Sequence, residues 1–70
     1  MDYIRSLLIA QSNVLEARQW ITLAKDRIIE ERELIELDQT QMMINATKEH
    51  ELEEIANDLL KMSKTLSDLI

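Results

Sequence analysis

Neither glycine nor proline occurs anywhere in the 70 residues, and few absences restrict a fold more. Without glycine, every turn needing a positive φ meets the steric cost of a Cβ. Without proline, nothing locks φ or removes a backbone donor, so no segment is forced out of a helix. Leu, Ile, Glu, Ala, Lys, Arg, Met and Gln dominate the chain, and most of them lose little on entering a helix. Tyr3 and Trp20 are the only aromatic residues, whereas sheets favour several. These features predict an all-α fold.

A chain of 70 residues holds one domain. A core of that size supplies only a few kcal/mol of net stability, about 3–5, and small proteins make up the rest with disulfides, a metal or a partner. No cysteine is present and His50 is the single histidine, which excludes disulfides and leaves a structural zinc site without its usual donors. Association is the remaining route. The lack of cysteine fits a reducing, cytoplasmic setting. No apolar run nears the ~18 residues of a membrane span, and Leu7-Leu8-Ile9-Ala10 is too short for a signal-peptide core. The net charge of −6 opposes nucleic acid and acidic membrane surfaces alike, while it keeps an apolar helical protein dispersed in water.

One long helix is expected over about residues 2–44, capped by Asp2, whose carboxylate also meets the positive end of the helix dipole. Ser12-Asn13, with Glu16 three residues beyond Asn13, offers a place for a break, but the apolar pattern passes through it in phase, so a continuous helix is preferred. The stripe fades at Asn45-Ala46-Thr47, where acids begin to crowd (Glu49, Glu51, Glu53, Glu54). A turn at about 45–47 and a second helix over about 48–70 are therefore expected, the alternative being one uninterrupted rod.

With Leu7 at heptad position a, the a row reads Leu7, Val14, Ile21, Ile28, Ile35, Met42. The d row brings small residues, Ala10, Ala17 and Ala24, then Glu31 and Asp38. In the last third the clearest seam is Leu52, Ile55, Leu59, Met62, Leu66, Leu69, on d and g of the same frame. Alternating spacings of three and four mark the packing seam of a coiled coil or bundle, so these rows, with Ala17 and Ala24, are the candidate oligomer interface. Leu8, Leu15 and Ile29 on row b, with Leu23 and Leu37 on row c, form a second apolar face that a two-stranded coil leaves wet. At ~1.5–3 kcal/mol per buried side chain, that face calls for further helices, or for a different protein. Trp20 belongs to core edge or to interface, where tryptophan is enriched. The e row is basic (Arg18, Lys25, Arg32). Folding the second helix back brings its acidic start toward Arg32, which favours a helical hairpin. The helices are expected to be unequal, roughly 43 against 22 residues, so the overhang of the first needs a neighbouring chain. Two hairpins then pair as a four-helix-type bundle.

Residues with chemical reactivity are few and poorly spaced. No phosphate-cradling loop exists without glycine. His50 and Glu54 stand one helical turn apart, yet the residue three before His50 is Thr47, so the Glu-x-x-His motif of di-iron bundles fails. Glu31 and Asp38 on the d row lie two turns apart, roughly 10 Å, and read as devices that fix register. The tail Ser63-Lys64-Thr65-Leu66-Ser67-Asp68-Leu69-Ile70 faintly resembles the ending, with its Ser-x-x-Leu-Asp, of the small sporulation-regulator aspartyl-phosphate phosphatases, also short helical hairpins. Ser63 and Leu66 match, Ser67 stands where the aspartate belongs, and the likeness covers eight residues; neither that activity nor membership follows. The expectation is a non-enzymatic, cofactor-free interaction module whose partner is itself, most simply as a homodimer of hairpins, the alternative being a regulatory adaptor, inhibitor or chaperone-like subunit on a larger protein.

Overall fold

A computed structural model describes residues 2–70. They form two helices, α1 (Tyr3–Leu34) and α2 (Gln39–Leu69). The helices pack side by side in opposite directions: the Tyr3 hydroxyl donates to the Leu69 carbonyl at one end, while Asn45 Nδ2 donates to the Ile28 carbonyl toward the other. The all-helical hairpin expected from composition and periodicity is thus present.

Asp2 caps α1, its side chain accepting from the Arg5 N–H at 2.7 Å, and the helix runs unbroken through Ser12-Asn13. The turn lies elsewhere than expected. The segment around 45–47 is helical, well inside α2, and the chain reverses at 35–38. Two local features place it there. Asp38 takes an extended conformation and its carboxylate accepts from the Gln41 N–H at 2.8 Å, while Gln41 Oε1 accepts from the Asp38 N–H at 3.0 Å. This reciprocal capping box satisfies donors that a helix start otherwise leaves open. Ile35 also leaves α1 in an extended conformation, with φ −122° and ψ 133°. No described residue has a positive φ, which is how a glycine-free chain reverses without strain. Thr47, in the segment expected to turn, returns its hydroxyl to the Met43 carbonyl inside the helix.

Moving the turn makes the helices nearly equal, 32 and 31 residues. The overhang expected of helix 1 does not exist, and its call for a neighbouring chain goes with it. The hairpin measures 53 × 16 × 13 Å with a radius of gyration of 16.1 Å, against about 11 Å for a compact domain of this length. A rod only two helices thick has no interior, and among the described residues no hydrophobic side chain is fully buried.

Replacing Asp38 by alanine removes one half of the capping box. We expect the urea midpoint to fall by the equivalent of about 1 kcal/mol, the usual worth of such a cap, with Asp38→Asn nearly neutral. A loss in Asp38→Asn as large as in Asp38→Ala would show that charge, rather than hydrogen bonding, matters at this position.

Candidate interaction surface

The seam between the helices is unusually polar. On α1 the half-buried line is Leu7, Gln11, Val14, Arg18, Ile21, Lys25, Ile28 and Arg32, alternating apolar a positions with polar e positions. On α2 the facing line is Asn45, Glu49, Leu52, Ala56, Leu59, Ser63 and Leu66, of which Asn45 and Ser63 are buried and the rest half-buried. Arg32 is paired with Glu49, as the charge pattern led us to expect. Gln11 Nε2 donates to the Ser63 carbonyl at 3.3 Å and to the Ser67 hydroxyl. Asn45 is the most enclosed residue, 4% exposed. Its Nδ2 donates to the Ile28 carbonyl at 2.8 Å, whereas its Oδ1 finds no protein partner, as is true of Arg18 Nε.

These polar groups push apolar side chains outward. Of the candidate interface residues, Leu7, Val14, Ala17, Ile21, Ile28, Leu52, Leu59 and Leu66 are half-buried, on or beside the seam, while Ala24, Ile55, Met62 and Leu69 are exposed. Ile35 and Met42, the last of the a row, stand exposed at and just beyond the turn instead of in the seam. Of the candidate second face, Leu8, Leu15, Leu23 and Trp20 are exposed, and Ile29 and Leu37 half-buried. Leu37 sits in the link between the helices, so the b and c rows do not extend as one face along a single rod.

Three apolar areas result. One is the outer side of α1 (Leu8, Ile9, Leu15, Leu23), and a second is the turn end, where Leu34 is 82% exposed and Met43 and Ile44 are also bare. The third lies alongside the seam, where Ala24, Ile28, Leu52 and Ile55 line a groove of about 490 Å³. By the usual scaling of accessible surface with mass, a compact monomer of 8.2 kDa exposes about 4,500 Å². This chain exposes 5450 Å², about 900 Å² more, and the surplus is close to one partner's share of a standard interface, about 800 Å².

Reactive groups are scattered by comparison. His50 Nε2 and Glu54 Oε1 are 2.9 Å apart on an open helix surface. Glu31 is exposed and Asp38 is occupied as the α2 cap, so the two do not act as a carboxylate pair. Among the described residues no three His, Cys, Asp or Glu side chains come together where a metal ion could sit, and no helix is long and apolar enough to cross a membrane. Compared with known protein families, curated proteins and solved structures, the chain matches none.

Proposed function

We infer that this chain is a non-enzymatic assembly module whose hairpins associate with copies of themselves, most simply as a dimer forming a four-helix bundle. One observation carries this reading: about 900 Å² more surface than a compact domain of its mass, with large hydrophobic side chains exposed along both helices and none fully buried among the described residues. Burial by a second hairpin gives these side chains the ~25 cal/mol per Å² that water denies them. The acidic surface fits the same role, since it limits association beyond the closed assembly.

A second reading has its own support in the exposed leucines of the outer α1 side, Leu8, Leu15 and Leu23, which suit an adaptor laid on a larger protein.

Sedimentation equilibrium and thermal melting of the purified chain test the first reading. We expect about twice the 8.2 kDa chain mass at micromolar concentration, and a Tm that rises with concentration, because binding between folded chains stabilises them by mass action. A single-chain mass with a cooperative, concentration-independent melt would overturn self-association. A poorly helical single chain would instead support the adaptor.

A further inference from the structure

The side of the hairpin that holds the groove carries both a recess and a projection. The recess is the space between Ala24 and Ile28 of α1 and Leu52 and Ile55 of α2, with Arg27, Lys48 and Glu51 around it. The projection is Trp20, 64% exposed. Trp20, Ala24 and Arg27 stand at i, i+4 and i+7 and so share one stripe of α1. The indole therefore lies about 6 Å along the helix from Ala24 at the groove's α1 edge, on the same face. On α2 the stripe continues from Ile55 through Met62 and Leu69 at seven-residue intervals, all exposed.

A projection and a recess offset along one face suit a two-fold pair, because half a turn about an axis between them carries each projection into the other copy's recess. Resting on the self-association inferred above, we propose that a second copy of this chain docks antiparallel on this face, with Trp20 of each hairpin seated in the Ala24–Ile28–Ile55 groove of the other. An axis at the level of Thr22 places Trp20 opposite Ala24. One pair of opposite charges agrees with this choice, although Glu51 of each copy falls near the level of the axis. The Asn45–Ile28 and Gln11–Ser63 hydrogen bonds fix the relative levels of the two helices, so Asp58 lies near the level of Glu16 and Lys48 near that of Asp26. The same rotation brings Asp58 of each copy within about 3 Å, along the axis, of the level of Lys48 in the other. The surplus of the whole hairpin, about 900 Å², is comparable with the ~800 Å² per partner that a stable complex buries. On the outer side of α1 the leucines are instead separated by Glu16, Gln19 and Asp26.

The chain has one tryptophan and no cysteine, which makes the contact readable. A Trp20→Phe chain carrying a nitroxide on Glu51→Cys is mixed with unlabelled wild-type chain, so that quenching of Trp20 can arise only between copies. Sedimentation of the same mixture reports association separately. We expect a dimer in which Trp20 fluorescence is strongly quenched, while the nitroxide placed on Glu33→Cys, on the outer side of α1, quenches little. We also expect Ala24→Glu, which fills the groove with a charge at an exposed position, to weaken dimerisation about 30-fold or more, as for the loss of an interface hot spot. A dimer without quenching from position 51 overturns the proposed face and leaves self-association standing. A single-chain mass throughout overturns both.

Discussion

Replacing Ile28 by aspartate should leave a chain with little helical signal at micromolar concentration and 25 °C. Ile28 sits in the inter-helix seam, half-buried, and its carbonyl receives Asn45 Nδ2 at 2.8 Å. The substitution forfeits ~1.5–3 kcal/mol of apolar burial. It also puts a carboxylate against a seam where burial of an unpaired charge costs several kcal/mol more. A domain of this size holds only about 3–5 kcal/mol in reserve, so the sum exceeds what the fold can lose. Separated helices of this composition are marginal in water, which is why the helical signal falls together with the pairing. Circular dichroism at 222 nm through a urea titration reads the effect. Ile28→Val, at a cost of ~0.5–1.5 kcal/mol, should remain folded with a lowered midpoint. Ile9→Asp, at an exposed position on α1, should shift the midpoint by no more than about 0.5 kcal/mol. If Ile28→Asp resists urea as well as Ile9→Asp does, the helices do not meet along the line described above.

The all-helical class and the a row were legible because they rest on residue types and on a period that runs through Leu7, Val14, Ile21 and Ile28 without a phase change. The polar half of the seam was not. A heptad reading assigns the facing positions to apolar residues, so it selected the d row with Ala24, whereas the structure turns Gln11, Arg18, Lys25 and Arg32 toward α2. The contacts made show how: Arg32 pairs with Glu49 and Gln11 bonds to Ser63 and Ser67, so polar side chains are held in the contact by partners on the facing helix. The turn was misplaced for a related reason. The apolar stripe fades near Asn45 because the side chains facing α1 there are Asn45 and Glu49, so a buried polar stretch looked like a loop. The true signal lay nearby in Asp38-Gln39-Thr40-Gln41, an acidic cap with a glutamine three residues on and an apolar run beyond it. The exposed groove side could be seen only as a surplus of apolar rows, since which of them become wet depends on how the hairpin closes.

Asn45 is where stability and uniqueness pull apart most, and Asn45→Leu should separate them. The side chain is 4% exposed, makes one hydrogen bond to the Ile28 carbonyl, and leaves Oδ1 without a protein partner. Leucine gives up that bond, worth ~1 kcal/mol net, and removes an unsatisfied buried acceptor that costs ~1–3 kcal/mol. It also adds apolar burial of ~1.5–3 kcal/mol, offset in part by strain from a bulkier side chain, ~1–3 kcal/mol. The apolar terms win, and the urea midpoint should rise by the equivalent of about 1–2 kcal/mol. The Ile28 carbonyl is left with helix and solvent rather than stranded, because it is part of α1's own backbone ladder. What the variant loses is the most enclosed of the directional contacts that tie a given turn of α2 to a given turn of α1, and the one nearest the link between the helices that involves a buried side chain. A lone buried asparagine fixes register and helix number in coiled coils, and here the Leu52, Leu59 and Leu66 spacing would otherwise accept a slip of one heptad with little penalty. The amide proton–nitrogen spectrum should accordingly change from one resonance per residue to extra or broadened resonances, concentrated in 25–60, even as the protein becomes harder to denature. A destabilised Asn45→Leu with a single sharp set of resonances would mean that the hydrogen bond to Ile28 holds the hairpin together, and that hydrophobic contact along the seam is weaker than its side chains suggest.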